Sequence, residues 1–427
     1  FYEDRLFMGG ATSYPQRVDG SVSGDYENMA PTALDGTVAA TNALGITLNS
    51  DTVNAIRWLV GDEKGLLVGT AGGPWVLRPT TTGEALSATN VNAKQLTAQG
   101  AADVAPVRSG KSAIFVQAGK RKVRELTYAF EADGFISQNL VSLSEHITQS
   151  GIEEMSIQLE PKGVVWARRA DGLLVSLTYE RDQESLRAGW ARQPIGGYSN
   201  AGHTAGAIVE SIAAIPSPDG TRDDVWLVVQ RYINGGTKRY IERMMPFFDD
   251  ETVLEDAFFV DSGLTYDGAP ASTLSGLDHL EGETVSILGD GMAFPDQTVI
   301  SGDVTLSEAV SKAQIGLPYN SDGGVLRIDA GAADGTALGK TQRVHRVGFL
   351  LHRSLGLKVG PSFDSLDSWI FRTAGDDLGE PAALFSGVKS DTFDGDYSDE
   401  ALICWRQDQP LPSTILAVMP QMHTEDR

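Results

Sequence analysis

The stretch that decides the fold runs from Met155 to Tyr179. It reads Met155-Ser156-Ile157-Gln158-Leu159, Pro161-Lys162-Gly163, Val164-Val165-Trp166-Ala167, then Asp171-Gly172 and Leu173–Tyr179. Runs rich in β-branched and aromatic residues are separated by Pro, Gly and Asp-Gly signals, which is the pattern of consecutive antiparallel strands. The turns come too close together for an amphipathic helix to fit between them. The unit closes near Trp190.

Three other stretches repeat this order. The first has Val53–Val60, a break at Gly61–Gly65, Leu66–Gly69, and Pro74-Trp75-Val76-Leu77. The second has Ile114-Phe115-Val116, a turn at Gly119–Lys122, and Val123–Leu126. The fourth in chain order has Ile212–Ile215, Pro218-Asp219-Gly220, Val225–Gln230, Asn234-Gly235-Gly236 and Arg239–Met244. Comparable strands begin near Leu66, Ile114, Val164 and Val225, a period of about 50–60 residues. A recurring unit of three or four antiparallel strands is what a β-propeller blade requires. A blade cannot bury its apolar faces alone, so blades stack. Trp58, Trp75, Trp166, Trp190 and Trp226 are expected in that packing. A pair of β-sandwiches with similar hairpins satisfies the same pattern.

The expected fold is therefore all-β, with β-propeller-like repeats and an additional small β-barrel or sandwich. Residues 1–245 form the propeller-like part, residues 246–355 the barrel or sandwich, and residues 356–427 a C-terminal β segment returning to the main body. Phe1–Met8 alternates apolar and polar residues as if in mid-strand, so the propeller is expected to be incomplete at its N-terminus. The chain is expected to be part of a longer or processed polypeptide. Ser307–Gln314 is the best helix-like stretch, and Val325–Asp329 and Gln342–Leu357 read as long strands.

Composition narrows the function classes. The 427 residues hold 34 Lys and Arg against 57 Asp and Glu, a net charge of −23, which argues against a basic nucleic-acid-binding face. The lone Cys404 excludes a disulfide framework or a cysteine zinc site within one chain. No apolar run approaches the ~18 residues of a membrane-spanning helix.

Catalytic patterns are near misses. Gly110-Lys111-Ser112 and Gly339-Lys340-Thr341 end like phosphate-binding loops, but the leading positions are Ala105 and Asp334 and the flanks read as strand. Val22 stands where a nucleophile elbow between Gly20 and Gly24 needs Ser. His345 and His352 are an odd number of residues apart, which on a regular strand places them on opposite faces. His279 lies beside Asp278 and Glu281, either as a catalytic pairing or as a hydrogen-bonded turn. Asp391, Asp394, Asp396, Asp399 and Glu400 form an acidic loop with oxygen ligands for Ca²⁺ or merely a solvated face. Lys111, Lys120, Arg121, Lys122 and Arg124 make a basic stretch, either a docking site for an acidic partner or a solvated hairpin tip. Cys404 reads as core. No catalytic, cofactor-binding or metal-binding residue is assigned, and the chain is expected not to be an enzyme.

Several segments resemble one family, the tail tubular protein B or nozzle protein of short-tailed bacteriophages. They are Arg5–Gly10 with Pro15-Gln16 and Ser21–Tyr26, Asn54–Leu59 with Leu66–Thr70 and Gly73-Pro74-Trp75, Gly119–Leu126, Gly276–Gly282 with Ile315–Tyr319, and Gln409–Pro412 with Thr414–Ala417. Their order along the whole chain carries the likeness. The resemblance implies a virion structural protein of the phage tail, with no catalytic residues. It implies a homo-oligomer, a ring of about six subunits, contacting a tail adaptor protein and tail fibres or spikes. Double-stranded DNA would pass through the lumen without specific binding. Acidic lumen walls would repel phosphates and let the duplex slide. Phe247–Asp256 and Asp391–Glu400 are the candidate gate loops. The alternative is a β-propeller recognition module binding a host-surface glycan or protein, and a third possibility is a polysaccharide-degrading enzyme.

Overall fold

The computed structural model describes residues 1–50, 54–81, 83–131, 133–182, 185–329, 336–377 and 379–425. Val53 and Asp334, both used in the sequence reading, lie outside the described residues. Every sheet is antiparallel, and among the described residues the only helical elements are two 3₁₀ turns, Leu254–Asp256 and Asp278–Leu280. No described helix is long and apolar enough to cross a membrane.

By its internal contacts the chain divides into two units, residues 1–193 with 209–228, and residues 194–208 with 229–427. The first unit opens with a three-stranded sheet of β1 (Phe7–Ala11), β2 (Tyr14–Gly20) and β3 (Leu44–Thr47). The second sheet is β4 (Ile56–Asp62), β5 (Gly65–Thr70), β6 (Trp75–Arg78) and β7 (Asn92–Gln95), in chain order. The third is β8 (Val107–Ser109), β9 (Ser112–Val116), β10 (Val123–Ala129) and β11 (Gly134–Asn139). The fourth is β12 (Ile152–Gln158), β13 (Val164–Arg169), β14 (Leu174–Arg181) and β15 (Leu186–Gln193). Residues 208–243 supply β16 (Ile208–Pro216), β17 (Asp223–Ile233) and β18 (Gly236–Arg243).

The period-2 geometry of a strand explains how these sheets stack. Along β5, Leu66 and Val68 pack with Phe7, Val18 and Leu44 of the first sheet, while Leu67 faces the other way, toward Phe115 and Leu126 of the third. Along β9, Ala113 and Phe115 face the second sheet, and Ile114 and Val116 face Val165, Val175 and Leu177 of the fourth. Both strands are buried over their whole length. Continuous apolar runs are the signature of sheets covered on both faces. Trp58 lies directly opposite Gly69, where a Cβ would sit 2.0 Å from the indole. Glycine lets the ring cross its neighbouring strand and meet Phe115 at 5.7 Å between centroids. Trp58, Trp75 and Trp166 are buried, whereas Trp190 and Trp226 are only half-buried.

The second unit uses longer, less regular strands. An open four-stranded sheet has the order β19–β22–β20–β21, with β19 (Asp261–Leu274), β20 (Thr284–Gly289), β21 (Met292–Thr298) and β22 (Val304–Leu317). This open sheet stands in place of the expected small barrel, and no sheet of the described residues closes on itself. Another has the order β23–β28–β25–β26, with β23 (Ser321–Gly324), β24 (Thr341–Ser354) lying elsewhere, β25 (Lys358–Ser362), β26 (Ser365–Ser368), β27 (Phe385–Thr392) elsewhere again, and β28 (Cys404–Gln407). The last sheet is β27–β24–β29, its edge strand β29 being Thr414–Glu425. Residues 356–427 thus pair with β23 and β24 of the preceding segment, which the composition-based boundary at residue 355 separated.

Three local expectations are corrected. Ser307–Gln314 lies inside strand β22, where ladder pairing with β19 and β20 overrides a weak helical pattern. The expected strand over Phe1–Met8 is a turn at Tyr2–Arg5, with Glu3 and Asp4 at positive φ between the bridged Tyr2 and Arg5, and the strand begins only at Phe7. Val325–Asp329 lies outside any strand, since the ladder ends at Gly324.

Candidate functional site

The second unit holds an open cleft of about 620 Å³. One wall is a face of the β23–β28 ladder, where Ser321 stands opposite Gln407 and Gly323 opposite Trp405. A Cβ on Gly323 would lie 2.3 Å from the indole, so glycine is required for Trp405 to lie flat across the ladder. The edge contact of Trp405 with the buried Phe349, at 5.7 Å and 80°, fixes the ring. Gln407 is fixed as well, donating to the Leu355 carbonyl (2.6 Å) and accepting from the Gln409 amide (3.2 Å). On the other face of the ladder Arg406 grips Asp322 through two bonds of 2.7 Å, and Lys358, opposite Arg406, pairs with Asp408.

The other wall is Ser413 and then Ile415, Leu416, Ala417 and Val418 of β29. These residues flank a bulge in β29, whose extra residue is Leu416, between Ile415 opposite Leu351 and Ala417 opposite Leu350. Among the described residues β29 has one ladder, with β24, so its other edge has no partner strand. Leu416 is 62% exposed, and the Ser413 hydroxyl has no hydrogen-bond partner. The arrangement offers an aromatic ring, a fixed amide, apolar side chains and a row of main-chain donors and acceptors. These are binding groups.

A second polar cluster in the same unit is enclosed. Asp261 accepts the Gly196 amide (2.6 Å), and the buried Arg231 donates to the Gly196 carbonyl (2.7 Å) while clasping Glu242. Loss of solvation holds the Asp261 carboxyl up at about 6, against the lowering effects of the Gly196 amide and Arg231. Burial, and then the Asp261 charge, pushes the Tyr319 hydroxyl up. Burial also raises Glu283, which faces His203. Gly197 is at positive φ with a Cβ position 2.9 Å from Arg231, so this glycine pair is locked between the two charged groups. The sequence reading missed this cluster; Ile315–Tyr319 was singled out, but nothing local marks Asp261 or Arg231 as enclosed.

The candidates read from sequence fall elsewhere. Lys111 sits in the tight β8–β9 turn and pairs with Glu63, so Gly110–Ser112 is a hairpin and no phosphate loop. Lys120 pairs with Glu153 (2.5 Å), Lys122 with Glu145 (3.5 Å), and Arg124 donates to Gln117. The basic stretch is thus largely neutralised by its own surroundings. His279 bonds the Ser262 carbonyl (2.8 Å), while Glu281 accepts the amides of Ser301 and Gly302, so the catalytic pairing is not formed. Register irregularities along β24 break the parity argument for His345 and His352; both are exposed, and His352 bonds Asp250 (2.7 Å). The acids of Asp391–Glu400 are exposed, and the described residues contain no group of three ligating side chains that would hold a metal. Phe247–Asp256 is fastened to its own unit: Arg353 donates to the Asp249 and Thr252 carbonyls and covers the Phe248 ring. Cys404 is buried, and burial raises its thiol.

No family model matches the chain, and no curated protein does. Solved structures that align with it include an exo-β-1,3-galactanase from Phanerochaete chrysosporium bound to β-1,3-galactotriose, at 10% identity and a TM-score of 0.27, covering 98% of this chain and 96% of that one. A putative 6-phosphogluconolactonase from Bacteroides uniformis aligns at 10% identity and a TM-score of 0.26, over 74% and 87% of the two chains. A luciferin-regenerating enzyme aligns at 10% identity and a TM-score of 0.20, over 53% and 80%. These findings correct two expectations. The statement that the chain is not an enzyme is withdrawn, because the solved structures it aligns with include a galactanase and a putative lactonase. The description as a bacteriophage tail, nozzle or virion protein is withdrawn too, because these structures are enzymes. At such TM-scores no fold or reaction is transferred to this chain.

Proposed function

We propose that the chain is a recognition module: stacked, propeller-like sheets form a rigid scaffold, and the cleft between β28 and β29 takes up a glycan or protein ligand. The observation that carries this reading is the open cleft itself, with Trp405 and Gln407 fixed in place before any ligand arrives. Preorganised groups lose little entropy on binding. The apolar contacts that order the sheets of the first unit support the scaffold role. The test is a binding screen of the purified chain against immobilised glycans and proteins, repeated with Leu416→Lys. Leu416 is exposed enough for the fold to tolerate the change. Binding that the substitution abolishes supports the reading; binding that ignores it, or no binding at all, sinks it.

A second reading is a ring of copies around an acidic conduit for DNA. One observation favours it: from residue 229 onward acids outnumber bases about two to one. A stable symmetric oligomer in sedimentation and electron microscopy is the expected result, and a strictly monomeric chain would remove this reading.

A further inference from the structure

We infer that the ligand of the cleft is an extended polypeptide segment that adds to the open edge of β29 as a further antiparallel strand. This rests on the recognition reading above and names the partner's chemistry. Three observations lead to it. First, four successive residues of β29 line the cleft, so an occupant meets main-chain groups as well as side chains. An unpaired strand edge is a template for another strand, and peptide recognition commonly uses it.

Second, the edge carries neither charge nor proline where the cleft lies, and both beyond it. Natural edges are blunted with charges, proline or bulges. From Thr414 to Met419 the one such device is the bulge at Leu416, while Pro420 withholds a main-chain donor and Glu425 ends the strand with a charge. The usable segment spans about 17 Å at ~3.4 Å per residue, and its central residues are the ones facing the cleft.

Third, charge selects the sequence class. The residues lining the cleft are all uncharged. The unit around them carries about twice as many acids as bases, so its field favours a segment with an apolar alternating centre and Lys or Arg at its ends. Every other side chain of such a segment would face Trp405, and the intervening ones would lie beside Leu416.

The probe is a dye-labelled nonapeptide of alternating Thr and Val flanked by Lys, with a second version N-methylated at alternate residues. N-methylation removes main-chain donors and leaves every side chain in place. Binding to the wild-type chain is followed by fluorescence polarisation, and hydrogen exchange is read at residues 414–419. The expected result is saturable binding, slowed exchange at Thr414–Met419, and at least about tenfold weaker binding of the methylated peptide. Leu416→Lys is expected to weaken binding by a similar factor through like-charge contact with the peptide.

Absence of peptide binding overturns the inference, as does binding that N-methylation leaves unchanged. Slowed exchange that follows protein concentration without peptide overturns it too, because the occupant is then a second copy. A panel of neutral oligosaccharides separates the two levels of the argument. If an oligosaccharide quenches Trp fluorescence and the peptide does not bind, this inference falls and the recognition reading stands. If neither binds, both fall.

Discussion

Two carboxylates, the buried Glu125 in the first unit and the half-buried Asp261 in the second, show how differently the two regions are built. Glu125 in the first unit is fully buried and accepts from Ser112 (2.7 Å) and Tyr179 (2.8 Å), with Arg181 at 3.0 Å. The Tyr179 hydroxyl is pushed up to about 12, chiefly by burial. Asp261 in the second unit has one backbone amide at 2.6 Å, and its share of Arg231 is contested by Glu242. At Glu125 the first unit completes a network between sheets that bury both faces, while the Trp58 and Trp75 indole nitrogens are buried there with no hydrogen-bond partner. The second keeps an incompletely compensated carboxylate, long bulged strands and an open edge. Satisfied buried polar groups rigidify, while incompletely satisfied ones mark places that respond to conditions or ligands. The contrast teaches that the scaffold and the responsive parts of this chain are segregated by unit.

The largest expected effect tests the scaffold side. Trp58→Ala removes a ring that packs against Phe115 and crosses Gly69. It leaves a cavity between two sheets, and a loss of about 3–5 kcal/mol is expected. Denaturant titration of the first unit measures it. A loss below about 1 kcal/mol would mean that the sheets do not depend on that contact, and the contrast would break.

A comparable loss is expected on the other side from Arg231→Met. The guanidinium is fully buried and serves Gly196, Glu242 and the field at Asp261. Removing one member of a buried charged network costs about 3–5 kcal/mol, because its partners are left uncompensated. The same change removes a lowering influence on Asp261, so the carboxyl should titrate at still higher pH. A carbon-13 NMR titration of the Asp261 carboxyl reads this independently of stability.

Asp261→Asn has a smaller effect with a defined sign. The folded-state value is about 6, above the ordinary aspartate value of 3.8. Between those values the folded chain holds a proton that the unfolded chain has released, so folding takes up a proton. Stability therefore falls as pH rises from about 4 to about 6, by at most about 3 kcal/mol at neutral pH. Asn keeps an oxygen for the Gly196 amide and carries no charge. The variant should lack this slope and match or exceed the wild-type at pH 7 in thermal melts. An unchanged slope would mean that Asp261 is solvated, and the comparison with Glu125 would lose its basis.

The two units also differ in what their sequences disclosed. The strand–turn–strand units around Leu66, Ile114 and Val164 were legible because both faces of their central strands are covered, and that writes a continuous apolar run into the chain. In the second unit a strand's partner is far away in sequence. Phe349 of β24 faces Val418 on one side and Lys389 on the other, and no local pattern announces either. Register shifts at Val344–Arg346 and Leu351–Ser354 break the parity on which the His345 and His352 argument rested. The cleft was illegible for the same reason. Trp405 and Ile415 lie in two separate strands, and only long-range pairing makes one a wall and the other an edge. Asp261 and Arg231 are 30 positions apart and meet through Gly196, a relation no spacing rule captures.

The smallest expected effect concerns the basic stretch, where sequence and structure differ most in emphasis. As a run of letters, Lys111 and Lys120–Arg124 suggest a docking site. In the fold Lys111 and Glu63 are 3.4 Å apart, and both side chains are mostly exposed. Exposed pairs contribute about 0–1 kcal/mol and weaken as salt screens them. Lys111→Ala should therefore change stability by less than about 1 kcal/mol, and the change should vanish in high salt. Lys120→Ala should cost slightly more, since its pair with Glu153 is shorter and more enclosed. Neither substitution should alter binding in the cleft of the second unit. If either weakens peptide or glycan binding, the first unit takes part in recognition, and the segregation of scaffold from responsive site is wrong.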